Sequence, residues 1–481
     1  MLFQTWEFVI FFAVVMAGMA LLRPGLKSLW LLAASYFFYG YMSPAFLVFI
    51  IYITIVDYFI GRGLAAYSSN GVRKTLVTLS IINGVMLLSL FKYADFITVN
   101  LQALCDYIHW QVHVPTIAES AQNIFNALNI DYALPAQILL PAGISFFTFK
   151  SLSYTIDVYR HDQRVERNFI HYASYLAFFP ALLSGPIDRS GLLIKQLRHK
   201  MPFRPVDFSD GVCLFISGMF KKVVLADTLA VFVNQVYNAE PGSYGALAVV
   251  LATYAYAWQL YGDFAGYTDM ARGIAKIMGI HLTLNFNNPY VAVDFSDFWR
   301  RWHISLSSWF RDYVYIPLGG SRVVRYRIWW NLFLTMLVSG FWHGSAWTFI
   351  IWGAWHGILA VIWRGFEKRE WYVKLPKLLK QLVVFNLVAV GWVFFRAQTF
   401  EQAVGLLKVV FSGAAGAVSA GIPWLMLGMA AAVWIYQLVF DSRFNKVLAW
   451  APLRYIIFAI VVALILIVPA DANQKFLYFD F

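Results

Sequence analysis

The stretch FWHGSAWTFIIWGAWHG, residues 341–357, places two Trp-His-Gly triplets in a segment that otherwise has the character of a buried membrane helix. It extends an apolar run from residue 331, in which Asn331 and His343 are the conspicuous polar side chains. Small residues around His343 let another helix or a ligand approach the backbone closely. An ionisable side chain at membrane depth indicates a functional site; the alternative is a histidine hydrogen-bonded within a helix bundle.

The rest of the chain has the composition of an integral membrane protein. Of its 481 residues, 60% are hydrophobic and only 13% are charged, whereas about a quarter are charged in an ordinary soluble domain. Apolar runs recur from end to end, and several are shorter than the ~20 residues that a perpendicular span needs. We therefore expect one all-α polytopic domain over residues 1–481, with roughly ten to thirteen hydrophobic segments, some of them tilted, broken or re-entrant.

The distribution of Lys and Arg predicts the topology. Basic residues cluster at segment ends near residues 23–27, 62–74 and 160–167. The positive-inside rule places these clusters in the cytoplasm and the N-terminus outside. The N-terminus lacks the basic region of a cleavable signal peptide, so we expect the first apolar run to remain as a membrane helix.

Two segments depart from simple alternation across the membrane. No Lys or Arg occurs between Lys92 and Lys150, which predicts an extracytoplasmic loop over about residues 93–137. Residues 169–184 have basic loops on both sides. We therefore expect that segment to be re-entrant, which is tolerated only where protein or a water-filled cavity covers the backbone.

Polar residues concentrate in the central third, about residues 185–327, and we expect the catalytic core over about residues 262–360. The densest cluster is NFNNPYVAVDFSDFWRRWHISLSSWFRDYVYIPLGGSR, residues 285–322. Its spacing predicts an amphipathic helix over residues 297–313, capped by Asp297 and ended by a turn at residues 317–320. Such a helix is either an interfacial anchor or part of a site. The candidate substrate-binding residues here are Arg300, Arg301, Arg311 and Asp312.

Several kinds of site find no support in the sequence. His-Glu-x-x-His spacing, Cys/His pairing, a phosphate-binding Gly-x-x-x-x-Gly-Lys loop and a Gly-x-Ser-x-Gly elbow are all missing from the 481 residues, so we expect no bound metal and no permanently bound cofactor. His356 follows His343 by thirteen positions, about 220° around a helix. We therefore interpret His356 as a structural residue.

A histidine in a water-poor tunnel can act as a general base. Low polarity favours the neutral imidazole, which accepts a proton from a hydroxyl. Acyl transfer from a thioester to an alcohol requires such a base, donors for the oxyanion and little competing water. We assign His343 as the candidate base.

At these residues the sequence resembles the membrane-bound O-acyltransferase family, in particular its bacterial branch that acetylates exopolysaccharides. The resemblance covers essentially the whole chain. Its landmarks are LPAGISFFTFKSLSYTIDVYR (140–160), FFPALLSGPIDR (178–189), GDFAGYTDMARGIAKIMGI (262–280), residues 285–322, and SGFWHG (339–344) with its following tryptophan.

The resemblance implies a ring of tilted helices around a central funnel or tunnel, with His343 as the catalytic histidine. His303 matches a second polar position of the family that is often Asn or Asp, so its role as second base, orienting residue or hydrogen-bond anchor stays open. Asn331 and Trp347, which flank His343, complete the candidate substrate-binding residues.

The resemblance also implies a multi-pass protein of the bacterial inner membrane, in contact with membrane lipids and not with nucleic acid. Acetyl-CoA is the expected cytoplasmic donor, and a periplasmic acetyltransferase of the SGNH type is the expected partner. The acceptor is an exopolysaccharide such as alginate or cellulose, or a teichoic-acid-like polymer. Basic residues such as Arg300 would attract the donor's phosphates, or would only set topology.

Two other classes of function remain open from sequence. A transporter or channel would use His343, Asp263 and Asp269 as a proton or ion pathway. A scaffold would anchor an extracytoplasmic assembly through residues 93–137 and would need no buried histidine.

Overall fold

The computed structural model describes residues 1–127, 140–198, 204–416, 418, 421–468 and 476–477, apart from the side chain of Ile124. All regular elements in these residues are helices. The fold is therefore all-α, as predicted. Residues 128–137 of the expected extracytoplasmic loop lie outside the described residues.

The N-terminal helices pack as a group in which α7 contacts both α3 and α4. Their bounds are α1 (Trp6–Leu21), α2 (Pro24–Met42), α3 (Leu47–Ala66), α4 (Asn70–Leu88), α5 (Ala94–Tyr107), α6 (Ile117–Ala127) and α7 (Ile144–Tyr159). A π-helical segment, Ser89–Tyr93, joins α4 to α5, so Asn70–Tyr107 is one helix of 38 residues. Much of the segment predicted as a loop from residue 93 is therefore helical, in α5 and α6. Its extracytoplasmic position stays a prediction.

The expected re-entrant segment is a broken helix inside the protein. It consists of α8 (Phe169–Ala177) and α9 (Phe179–Leu182), and Pro180 lies in the first turn of α9. Nine residues of helix span only about 14 Å, less than half of a ~30 Å hydrocarbon core. Residues 172–188 are all buried, so protein covers this backbone, as the prediction requires.

A long central helix organises the middle of the chain. The elements are α10 (Ser190–Arg198), α11 (Pro205–Met219), a π-helical segment (Phe220–Ala226), α12 (Asp227–Tyr237) and α13 (Ala246–Ile277). A Cβ on Gly218 of α11 would lie 2.6 Å from the carbonyl oxygen of Gly266 in α13. The two backbones therefore touch, as small residues permit in membrane proteins.

The polar cluster forms two short helices instead of the one predicted. They are α14 (Phe295–Arg301) and α15 (Ile304–Phe310), followed by a π-helical segment, Arg311–Tyr315. His303 interrupts the helix with φ +42°. The N-cap is Asp294, which accepts a hydrogen bond from the backbone N–H of Asp297, so the capping role predicted for Asp297 is wrong. The turn predicted at residues 317–320 is present.

The remaining elements follow the site helices, and several are apolar. They are α16 (Arg325–His343), α17 (Trp347–Phe366), α18 (Glu370–Val373), α19 (Lys377–Arg396), α20 (Phe400–Ser412), α21 (Trp424–Phe440), α22 (Asn445–Leu448) and α23 (Ala451–Ile467). Among the described residues, Pro44–Ala66, Asn70–Tyr107, α17 and α19 are long and apolar enough to cross a membrane, and α1, α21 and α23 are shorter apolar helices. The number of spans and the central funnel remain predictions.

Candidate active site

His343 is the last residue of α16, and the chain breaks before α17 begins at Trp347. Gly344 and Ser345, which are weak helix formers, lie in this break. The two Trp-His-Gly triplets therefore belong to different helices, and the prediction of one buried helix through both is wrong.

His343 is 3% exposed. Its ring centroid lies 4.8 Å from that of Trp342, 5.0 Å from Trp352 and 5.3 Å from Phe395.

His303 is fully buried in the break between α14 and α15. Its Nδ1 lies 3.1 Å from Asn285 Oδ1, which also accepts hydrogen bonds from the backbone N–H and the hydroxyl of Ser305. Because a backbone N–H can only donate, the atom it meets on Asn285 is the oxygen. His303 Nδ1 must then carry the proton, which leaves the lone pair on Nε2.

The fold brings the two predicted catalytic histidines to one site. Their ring centroids lie 6.4 Å (His303) and 4.8 Å (His343) from the ring of Trp342. Phe146, in the first turn of α7, packs against both His303 and Trp342. Residues forty positions apart in the chain therefore share a water-poor aromatic enclosure.

A cavity of about 380 Å³ lies between α14, α15, α16 and α17, and we call it the large cavity. Arg300 and Arg311 line it, and their side chains are 65% and 63% exposed, so they mark its outer end. Ser339 also lines it and is 4% exposed, so it marks the inner end. Ser339 precedes His343 by one helical turn on the same face of α16. The inner end of the large cavity therefore reaches the neighbourhood of His343.

A second cavity, of about 20 Å³, has His343 in its wall, and we call it the small cavity. Lys92, Trp342, residues 140–143 and the first turn of α7 complete its lining. The two cavities have no lining residue in common.

Four predicted substrate-binding residues do not line either cavity among the described residues. Arg301 forms ion pairs with Asp297 (2.9 Å) and Asp441 (3.3 Å). Asp312 forms ion pairs with Arg189 and Arg311, both at 2.8 Å. The Asn331 amide donates to the carbonyl of Gly320, and the Trp347 indole donates to Asn100. Their substrate contacts stay predictions.

His356 is fully buried on α17 among aromatic rings. Its ring centroid lies 4.9 Å from that of Trp352 and 5.2 Å from that of Trp299. In the described part of the chain neither ring nitrogen has a hydrogen-bond partner. These contacts agree with the structural role expected for this residue.

Sequence reasoning missed Asn285 and Lys92. Asn285 opens the polar cluster, and its neighbours Asn287 and Asn288 gave no reason to single it out. Lys92 served only to mark the edge of the expected loop. The available signal was a lysine inside a continuous apolar run, which is costly unless it has a function.

Comparison with known proteins shows the family of the chain. The model of the membrane-bound O-acyltransferase family matches residues 32–366. The chain is 37% identical over 419 residues to the probable alginate O-acetylase of Pseudomonas aeruginosa, covering 86% of this chain and 75% of that protein. It is 34% identical over 416 residues to the peptidoglycan O-acetyltransferase of Helicobacter pylori, covering 80% and 74%.

A more distant relative is the teichoic acid D-alanyltransferase of Bacillus subtilis, which is 30% identical over 285 residues, covering 56% of this chain and 71% of that protein. The relatives are acyltransferases by name. The chain is accordingly a multi-pass membrane protein and an O-acyltransferase, and it belongs to the membrane-bound O-acyltransferase family.

Proposed function

We propose that this protein takes an acetyl group from a cytoplasmic thioester donor, acetyl-CoA, and transfers it to a hydroxyl presented from the other side of the membrane. The observation that carries the proposal is the position of His343 relative to the two cavities. The large cavity ends one helical turn away at Ser339, and the small cavity has the imidazole in its wall.

The large cavity has the properties of a donor site. Its volume is within the range of ligand pockets, and apolar side chains such as Ile304, Leu332 and Met336 line it. Arg300, Arg311 and Arg364 add positive charge to the lining, which also contains the carboxylate of Glu367. Guanidinium groups bind phosphates through bidentate hydrogen bonds, so the phosphates of the donor would lie at the outer end of the large cavity. The acetyl thioester would extend past Ser339 to His343.

The acceptor in this proposal is a hydroxyl of an exported polymer or of a periplasmic SGNH-type partner that modifies the polymer. The relatives support this class, because their names refer to alginate, peptidoglycan and teichoic acid. The protein would lie in the inner membrane with its N-terminus outside, following the distribution of Lys and Arg.

The direct test uses membrane vesicles of known orientation and labelled acetyl-CoA. Inverted vesicles, which expose the cytoplasmic face, should consume the thioester and form acetyl ester, whereas sealed right-side-out vesicles should not. His343→Ala should lower the rate by ~10²- to 10⁴-fold, the contribution of a positioned base. The variant should insert into the membrane and be expressed at the normal level. Equal rates in both orientations would contradict the proposed donor side, and full activity of His343→Ala would contradict the catalytic role.

A further inference from the structure

Lys92 is a buried lysine in the π-helical segment Ser89–Tyr93. Its side chain is 9% exposed, and its ammonium lies 5.5 Å from the ring centroid of Trp342. Among the described residues, no carboxylate forms an ion pair with it. A buried charge is unfavourable unless an opposite charge or a set of hydrogen bonds compensates it. The position of Lys92 therefore points to an anion that arises beside it.

The small cavity is the space that Lys92 shares with His343. Its volume of about 20 Å³ is close to that of a single water molecule by the same kind of measure. One oxygen atom fits such a space, but a carboxylate carried by a sugar does not. The space therefore suits a single anionic oxygen next to the imidazole.

The N-terminus of α7 faces the same space, since Gly143, Ile144 and Ser145 line it. The first N–H groups of a helix lack intrahelical acceptors and carry partial positive charge. In α7 the N–H groups of Ile144 and Phe146 already donate to the carbonyl oxygens of Pro141 and Gly143, whereas the N–H of Ser145 donates to no backbone carbonyl of the described residues.

The 16-residue helix α7 begins after Gly143, whose φ is +76°. A Cβ at Gly143 would lie 2.6 Å from the carbonyl oxygen of Leu182. The start of α7 can therefore pack against Leu182 only because residue 143 is a glycine.

We propose that Lys92 and the N-terminus of α7 form the oxyanion site of the acyl-transfer reaction. This assignment rests on the proposed function. The acceptor oxygen forms a bond to the thioester carbon while its proton passes to His343. The π electrons of the carbonyl move to its oxygen, which becomes an oxyanion beside Lys92. Collapse of this intermediate breaks the C–S bond, and the thiolate takes the proton from the imidazolium of His343.

The experiment compares wild-type protein with Lys92→Met in detergent, with acetyl-CoA as donor. Methionine keeps the unbranched shape of the side chain, one atom shorter, and removes the charge. We expect kcat to fall by ~10²- to 10³-fold, as for loss of one oxyanion donor, with less than about a twofold change in KM for the donor, because the charge forms only in the transition state. The thermal unfolding midpoint should stay the same or rise, since an unpaired buried charge has been removed.

The charge of the acceptor separates this role from acceptor binding. The kcat of Lys92→Met should fall equally with a neutral oligosaccharide, with a uronate oligosaccharide and with water as acceptor. A loss confined to the uronate would overturn the assignment, because Lys92 would then bind the acceptor's carboxylate. Unchanged kcat would also overturn it.

Two further variants keep the test decisive. Lys92→Ala should regain activity when propylammonium, which replaces the missing part of the side chain, is added, but not with propanol. Equal effects of the two would overturn the assignment. Lys150→Met removes another buried lysine, 1% exposed on α7, that does not line the small cavity. It should retain kcat within about tenfold of wild type, and a loss equal to that of Lys92→Met would also overturn it. Wild-type protein that cannot use acetyl-CoA would contradict the proposed function instead.

Discussion

Gly340 of α16 and Gly353 of α17 meet backbone to backbone. A Cβ on Gly340 would lie 2.9 Å from the Cα of Gly353, and a Cβ on Gly353 would lie 3.1 Å from the Cα of Gly340 and 2.6 Å from the carbonyl oxygen of Met336. The two helices that carry the Trp-His-Gly triplets therefore cross with their backbones in contact, one turn before His343. The position of the imidazole depends on this crossing.

We expect Gly353→Ala to destabilise the protein by ~1–3 kcal/mol, the usual cost of overpacking, and to lower activity because α17 must move away from α16. Thermal unfolding in detergent and the acetylation rate measure the two effects. Gly365→Ala on the same helix is the matched control, since a Cβ there meets nothing within 4 Å. Equal stability of the two variants would contradict the close approach.

Asn285→Ala should lower kcat, because His303 loses the acceptor that keeps the proton on Nδ1 and the lone pair on Nε2. The hydroxyl and the backbone N–H of Ser305 lose the same acceptor, so we also expect a loss of stability of ~1–3 kcal/mol. The control is Asn386→Ala, which removes an exposed acceptor of the Tyr254 hydroxyl. A wild-type kcat for Asn285→Ala would show that the tautomer of His303 does not contribute to catalysis.

Arg300→Gln and Arg311→Gln should each raise the KM for acetyl-CoA by about two- to fivefold and leave kcat unchanged, because an exposed charge contributes ~0.5–1 kcal/mol to binding. The effect should weaken at high salt, which screens exposed charges. Lys374→Gln, an exposed lysine that does not line the large cavity, is the control. If the Lys374 variant shows the same change, the effect belongs to net charge and not to the cavity.

Arg301→Gln should behave differently from its neighbour Arg300. Arg301 joins α14 to Asp441, and its side chain is only 19% exposed. Loss of this link should lower stability by ~1–3 kcal/mol with little change in the KM for the donor. A raised KM at an unchanged unfolding midpoint would instead support the substrate-binding role predicted from the sequence.

The fold class and the burial of His343 were predictable because they depend on local composition. The ion pairs of Arg301 with Asp441 and of Asp312 with Arg189 were not, since the partners lie 140 and 123 positions away in the chain. Because these partners are so distant in the chain, the sequence did not indicate that Arg301 and Asp312 are already paired with other side chains.

The helix break at His303 was also hidden, because the apolar spacing continues across it. Histidine is one of the few side chains found with some frequency in the left-handed region, but nothing nearby marks the break as glycine or proline would. The role proposed for Lys92 was not predictable either, since it depends on contacts with Trp342 and α7 that only the folded chain provides.

The three π-helical segments in the described chain contain Lys92, Lys222 and Arg311. A π-helical turn holds one residue more than the α-helical turn it replaces. Because this turn absorbs the extra residue, α4 and α5 keep the phase of one continuous helix, and Asn100 of α5 stays within reach of Trp347. Deleting one residue from Ser89–Tyr93 would give a regular α-helix with α4 still packed on α7, but the segment that carries Lys92 would be rebuilt. A change of chain length here should therefore disturb the surroundings of Lys92 more than the fold.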